Sequence, residues 1–229
     1  MLKKWDELPE KMKNEAVKPY YGVLKKRKAS LLFKRIFDII MSSVLVVLLS
    51  PVFLVLAAAI KIDSSGPVFF RQKRVTRYGR EFRIFKFRTM VNNAEKLGTQ
   101  VTVGNDSRIT KVGAAIRNSR LDEIPQLFNI FMGDMSFVGT RPEVPKYVQC
   151  YTPEMMATLL MPAGVTSQAS IKYKDEAQLL EKSENADETY INDILPEKMK
   201  YNLLDIEKFS LLADIKTMFQ TVGAVLSKK

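Results

Sequence analysis

A chain of 229 residues holds one domain of ordinary size plus an anchor, and at 46% hydrophobic residues it can bury a real core. The net charge of +11 points to anionic partners: lipid headgroups, phosphorylated ligands or nucleic acid. The absence of histidine excludes His triads, His metal ligands and an imidazole base, and a single cysteine, Cys150, excludes internal disulfides and Cys-cluster metal sites.

Residues 1–32 read as a basic N-terminal extension. Its lysines and Trp5, Tyr20 and Tyr21 suit a membrane interface, and a partly disordered basic tail fits equally well. The segment FKRIFD, Phe33 to Asp38, leads into Ile39–Ile60, 22 residues without a charge. At about 1.5 Å per helical residue this run is long enough for a hydrocarbon core of about 30 Å. Ser50-Pro51 interrupts it at the midpoint, where proline removes a donor and clashes with the preceding turn. Basic residues flank both ends, Lys25–Arg35 before it and Lys61, Arg71, Lys73 and Arg74 after it, and such residues mark the cytoplasmic side. A re-entrant hairpin over residues 33–62, bent at Ser50-Pro51 with Ser50 serving the carbonyl that Pro51 leaves unpaired, keeps both flanks inside. A kinked single span is the alternative. The run starts too late and is too long for a cleaved signal, and it lacks a small-residue cleavage site.

Residues 63–229 form the remaining unit. After the turn Asp63–Pro67, Val68–Val75 and Glu81–Arg88 read as two strands joined at Tyr78-Gly79-Arg80. Alternation puts Phe82, Ile84, Lys86 and Arg88 on one face. A short helix from Met90 to Leu97, a polar loop from Gly98 to Asp106 and a second short helix ending near Arg117 follow. Leu121, Ile124, Leu127, Phe128 and Phe131 keep helical spacing, and Pro125 demands that this helix begin near Asp122; Gly133 ends it. Gly139-Thr140-Arg141-Pro142 is a turn, Pro153–Leu160 a helix, Pro162–Ile171 a loop and Asp175–Tyr190 an acidic helical segment. Leu203–Leu226 reads as one closing amphipathic helix.

Charge is uneven along this unit. Lys61 to Arg120 carries 14 Lys or Arg against four acids, whereas Asp175 to Asp193 carries seven acids against one Lys. With no imidazole available, acid–base or nucleophilic work falls mainly to carboxylates, Lys, Tyr or hydroxyls. Asp122-Glu123 lies inside a basic neighbourhood of Lys86, Arg88, Arg108, Arg117, Arg120 and Arg141. A carboxylate pair at a helix start is routine capping; the surrounding cations make it also a candidate phosphoryl-transfer site, and hard oxygen ligands suit magnesium shared with substrate phosphates.

The motifs FKRIFDII, GPVFFRQKRV, FKFRTM, NDSRITKVG, IRNSRLDEIPQLFNIFMGDMSFVG and TRPE, in this order, resemble the bacterial sugar transferases, or monotopic phosphoglycosyl transferases, from about Phe33 to Ser227. The resemblance implies an α+β enzyme: a membrane-embedded re-entrant helix hairpin with a small, mostly helical cytosolic catalytic domain containing a short β-hairpin. It implies transfer of a sugar phosphate from a nucleoside diphosphate sugar, a UDP-sugar, to polyprenyl (undecaprenyl) phosphate. The products are polyprenyl diphosphate sugar and UMP, and the step initiates a surface glycan at the cytoplasmic face of the bacterial plasma membrane. By position, Asp122 corresponds to a nucleophile forming a covalent phosphosugar intermediate and to a Mg2+ ligand, and Glu123 to its dyad partner. Lys86, Arg88, Arg117, Arg141, Pro142 and Glu143 fall on substrate-binding motif positions, with Arg108 beside them. The usual Gly-Pro-Arg-Pro is Gly139-Thr140-Arg141-Pro142 here, and the usual Pro-Gly-Ile-Thr-Gly is Pro162–Ser167, which bears on sugar identity. The lipid bilayer is an expected partner, nucleic acid is not, and a homo-oligomer stays open. The competing reading is a membrane-anchored basic scaffold for nucleic acid or anionic lipid, which leaves the buried-in-cations carboxylate pair unexplained.

Overall fold

The computed structural model describes residues 2–94, 106–174, 176–181, 183 and 185–227. The expected loop Gly98–Asp106, apart from Asp106 itself, and residues 95–97 of the expected helix before it fall outside them; the rest of that helix does not form, since Met90 pairs with Ile109 in an isolated antiparallel bridge and residues 92–93 make a turn.

Helix α1 (Lys18–Lys26) leads into α2 (Lys28–Leu48), and α3 (Ser50–Asp63) follows after one residue, bent 60° from α2. The bend has the expected cause. Pro51 cannot donate to the Val47 carbonyl, and Ser50 Oγ donates to it instead at 2.8 Å. Among the described residues no single helix is long and apolar enough to cross a membrane; the bent pair together is. Helix α2 is also inverted relative to a helix of a water-soluble core. Lys34, Asp38 and Ser42, four residues apart, are buried, while Phe33, Ile40, Val44, Val47 and Leu48 are exposed.

Strands β1 (Phe69–Val75) and β2 (Glu81–Phe87) form an antiparallel hairpin with Phe70 opposite Lys86. Its tip is turned by Tyr78 and Gly79, both at positive φ. After α4 (Lys111–Asn118) come α5 (Gln126–Met132), β3 (Met135–Val138), α6 (Pro145–Val148), β4 (Ala163–Thr166) and α7 (Gln168–Lys172). β3 and β4 pair in parallel, Met135 opposite Ala163, so the expected Pro162–Ile171 loop is a strand followed by a helix. Gly139 and Gly164 let the chains touch just beyond β3, since a Cβ on Gly164 would lie 2.2 Å from the Gly139 nitrogen.

The acidic segment holds α8 (Glu176–Glu181) and α9 (Ala186–Thr189), then a π-helical turn over Tyr190–Ile194. The expected single C-terminal helix is two, α10 (Leu195–Glu207) and α11 (Leu211–Leu226). Ser210, extended at φ −155, accepts from Ala213 N at 3.1 Å and so caps a new helix, and Phe209 is buried at the corner.

The N-terminal residues are not a peripheral tail. Leu8, Met12, Val17, Tyr20, Tyr21 and Leu24 are buried in one cluster with Tyr151, Leu160, Leu195, Met199 and Phe209. Hydrophobic side chains in the extension outweigh its lysines, whose charges remain at the surface. A second cluster, Phe82, Ile84, Leu127, Ile130 and Met135, fastens the hairpin of strands to α5.

Candidate active site

The chain reaches the carboxylate pair through a sharp reversal. Helix α4 ends at Asn118, Arg120 adopts a left-handed conformation at φ 54, and Leu121–Glu123 forms a single 3-10 turn. The helix ends at Gly133 as expected, but as an α-helix it starts four residues later than Asp122. Pro125 has no N–H to give to the Leu121 carbonyl, which accepts from Ile124 N at 3.2 Å instead, and α5 starts only at Gln126. The pair therefore sits on a tight turn ahead of the helix, facing β2.

The two carboxylates are held differently. Arg141 Nη2 donates to Glu123 Oε1 at 2.6 Å, and Lys86 Nζ donates to the same oxygen at 2.9 Å. From Asp122 Oδ2, Lys86 Nζ stands at 3.7 Å. Burial pushes the Glu123 carboxyl up, but Arg141 and Lys86 overcome it and hold the group well below the usual range. Burial also raises Asp122, with Lys86 pulling it down and the Glu123 charge pushing it up, and here the upward effects win. Glu123 is thus a fixed anion with two cations, and Asp122 a desolvated carboxylate with a looser claim on one.

Asn129, fully buried on α5, places Lys86. Its side-chain oxygen accepts from Phe85 N at 2.8 Å and its nitrogen donates to the Arg83 carbonyl at 3.1 Å, so it stands in for a neighbouring strand along the open edge of β2. Nothing in the sequence singled it out.

The other expected site residues divide. Arg117, in the last turn of α4, is close enough for its charge to lower Asp122, and it makes no ion pair among the described residues. Arg88 is elsewhere. It is buried just past the end of β2, where Nη2 donates to the carbonyls of Ile60 and Ser64 and to Ser64 Oγ, closing the end of α3. Arg108 is engaged in its own loop, bonding Asp106 through Nε and Nη2 and the Ala94 carbonyl through Nη1. Pro142 presents its carbonyl to Arg74 Nη1 at 3.0 Å. Glu143 is buried away from the pair, accepting from the Tyr190 hydroxyl at 2.5 Å.

Beyond Arg141 lies a cavity of about 180 Å³, walled by Arg141, Arg74, Glu143, Glu176, Tyr190 and Lys198. Lys198 Nζ donates to Glu176 Oε2 at 2.8 Å and to the Tyr190 hydroxyl at 3.0 Å, and stands 3.6 Å from Glu143. Divergence from the family pattern points to the acidic Lys174–Tyr190 segment, which holds Glu176 and Tyr190, as facing the sugar or nucleotide; Arg74 and Lys198 escape sequence reading, because they converge on it only through the fold.

Among the described residues no three carboxylate, Cys or His side chains form a metal cage. Of the pair, Asp122 is the carboxylate without a hydrogen bond among the described residues, its one ion pair, to Lys86 Nζ, standing at 3.7 Å. That suits magnesium only as an ion completed by substrate phosphates, its common mode of binding.

A sequence profile of the bacterial sugar transferases matches residues 29–228. The chain is 36% identical over 197 residues (85% of this chain, 44% of the relative) to the UDP-N-acetylgalactosamine-undecaprenyl-phosphate N-acetylgalactosaminephosphotransferase of Aeromonas hydrophila. It is 38% identical over 199 residues (84% and 40%) to the UDP-glucose:undecaprenyl-phosphate glucose-1-phosphate transferase of Klebsiella pneumoniae. To the exopolysaccharide production protein ExoY of Rhizobium meliloti it is 31% identical over 207 residues, 84% of each. The chain spans less than half the length of the first two relatives.

Proposed function

The chain belongs to the bacterial sugar transferase family, and from that membership we propose that it transfers a sugar phosphate from a UDP-sugar to polyprenyl (undecaprenyl) phosphate, giving polyprenyl diphosphate sugar and UMP. The observation that carries the reading is the unequal hold on the two carboxylates: Glu123 Oε1 takes both Arg141 and Lys86, leaving Asp122 available. A basic scaffold has no use for that inequality.

The chemistry is a double displacement at phosphorus. An Asp122 oxygen attacks the donor's β-phosphorus, the bond to the bridging oxygen breaks, and UMP leaves with that electron pair. The sugar phosphate is then held on Asp122 as an acyl phosphate. A phosphate oxygen of the lipid attacks the same phosphorus and the Asp122 carboxylate departs unchanged. Burial strips solvent from Asp122, which favours attack, while Arg141, Lys86 and Arg117 supply positive charge where phosphoryl charge develops. Magnesium, held by Asp122 and the donor diphosphate, would neutralise charge on the leaving nucleotide.

We place the bent pair α2–α3 in the cytoplasmic leaflet of the bacterial plasma membrane as a re-entrant hairpin. Two anchors support this. Arg35, early in α2, donates to the carbonyls of Ile130 and Phe131, and Arg88 binds the far end of α3 at Ile60 and Ser64. Both ends of the hairpin are fastened to one folded unit, which cannot stand on both faces of a bilayer.

The test of the chemistry is a half-reaction. With UDP-glucose or UDP-N-acetylgalactosamine and magnesium but no lipid, the protein should release UMP and gain one sugar phosphate at Asp122 by peptide mass analysis. Asp122→Asn should abolish both while leaving fold and membrane association intact. A label on Glu123, or turnover that requires both substrates bound together, overturns the scheme.

A further inference from the structure

We propose that the cavity behind Arg141 is the subsite for the sugar of the donor, with Glu143, Glu176 and Lys198 as the groups that read its hydroxyls; this rests on the function proposed above. The cavity is continuous with the carboxylate pair. Arg141 is both the partner of Glu123 and a wall of the cavity, so a donor whose diphosphate meets Arg141 carries its next group to the cavity mouth. About 180 Å³ of space open to water-sized molecules is many times the roughly 10–15 Å³ that one buried water needs, and enough for a small polar ring.

Charge distinguishes which part of the donor fits. Arg74, Arg141 and Lys198 bring three positive charges to the walls, and Glu143 and Glu176, with Glu123 on Arg141, bring three negative ones. Lys198 is already bonded to Glu176, and Arg74 to Gln72 and to the Pro142 carbonyl. A balanced, internally paired set does not call for a second phosphate, whose charge would be left uncompensated. A neutral ligand with hydroxyls on all sides finds carboxylate acceptors and cationic donors at close range.

A nucleobase fits less well. The aromatic rings available, Tyr147 and Tyr190, lie against each other with centroids 4.6 Å apart and planes tilted by 45°. That spacing leaves no slot between them for a third flat ring. The uridine is therefore assigned to the other side of the diphosphate, outside the cavity.

Specificity then follows from which hydroxyls reach Glu176 and Glu143. Glu176 is at the rim on α8, with 29% of its side chain exposed, whereas Glu143 and Lys198 are buried at 7% and 5%. The rim residue is the one to vary first, since its replacement disturbs the buried pair least.

The experiment compares wild type, Glu176→Gln and Tyr190→Phe, two changes that keep shape and remove one charge or one hydroxyl. UMP release is measured with UDP-glucose and with UDP-N-acetylgalactosamine, and inhibition is measured with UDP, which has no sugar. Each variant should lose about tenfold or more in kcat/KM for the preferred sugar, alter the ratio between the two donors, and leave UDP inhibition unchanged. Unshifted ratios in both variants, or UDP inhibition weakened in step with donor use, overturns the cavity assignment while leaving the transferase reading intact. No UMP release by wild type from either donor overturns both.

Discussion

Arg141 meets Glu123 through a single nitrogen, Nη2, at 2.6 Å. A guanidinium has five N–H donors in a rigid fork, so one bond to Glu123 leaves the rest of the fork for another oxygen ligand. Under the proposed function, that free part of the fork is where a substrate phosphate is expected while Glu123 stays held. Lysine has three donors but on one nitrogen, so it cannot hold Glu123 with one nitrogen while presenting a second, in a fixed plane, to a phosphate. Arg141→Lys should therefore lower kcat/KM by about tenfold or more despite conserving charge, with the loss appearing in donor binding. Steady-state UMP release and donor titration check it, and wild-type values for both would make Arg141 a structural residue only.

Asn129 carries a prediction about stability and chemistry together. Asn129→Ala orphans the Phe85 N–H and takes one of two donors from the Arg83 carbonyl, which keeps Arg71 Nη2 at 3.3 Å. Each buried polar group left unpaired costs about 1–3 kcal/mol, and Lys86, the next residue after Phe85, loses its fixed backbone. The melting temperature should fall by several degrees and UMP release should fall further than the melt alone explains at assay temperature. Asn129→Asp keeps the acceptor for Phe85 but sets a buried carboxylate where the amide nitrogen donated to Asp134 Oδ2 at 3.3 Å, and should destabilise more than alanine at neutral pH. A stable, fully active alanine variant would show that β2 needs no such support.

These two residues also mark how far the sequence reaches. The Ser50-Pro51 bend was legible because a missing N–H acts on the carbonyl four residues back, a purely local effect that Ser50 then repairs. The β1–β2 hairpin was legible because alternation and a glycine turn are local too. Arg88 misled because the alternation was carried one residue past Phe87, where the strand ends and the side chain turns to α3. The parallel β3–β4 pair escaped notice, since four residues are too few to show a period and their partner lies far along the chain. Asn129, Tyr190 and Lys198 look ordinary on their own helices. Their meaning arises only from partners 44, 47 and 22 residues away.

Asp205, near the end of α10, gives a pH prediction. Burial pushes its carboxyl up to about 6 from an ordinary 3.8, while a bond from Gln168 N pulls the other way. A folded value above the unfolded one means the native state binds the proton more tightly. Its contribution to stability is complete below about pH 4 and is lost as pH rises through about 6. Asp205→Asn, which cannot ionise, should flatten the fall in melting temperature across that window and melt higher than wild type at pH 7. Parallel curves for the two proteins would mean that Asp205 does not titrate in the window.

Both ends of the hairpin should lie on the cytoplasmic side of the membrane. The buried stripe Lys34, Asp38 and Ser42 turns α2 toward the folded unit, and Lys34 bonds both the Val138 carbonyl and Asp214 on α11. With Arg35 and Arg88 fastening the two ends, a straight span would have to break the Arg88 bonds to Ile60 and Ser64 and expose buried charge to lipid, a cost of several kcal/mol. The bend at Ser50-Pro51 avoids that. Single cysteines at Lys28 and Ser65, both exposed, in a background where the exposed Cys150 is replaced, should be labelled from the cytoplasmic side only. Pro51→Ala restores the missing donor to Val47 and a better helix former, and so should raise labelling of position 65 from outside. Opposite accessibility of the two positions in the parent protein would sink the re-entrant arrangement. An unchanged pattern in Pro51→Ala would mean that the arginine anchors, and not the proline, hold the hairpin in place.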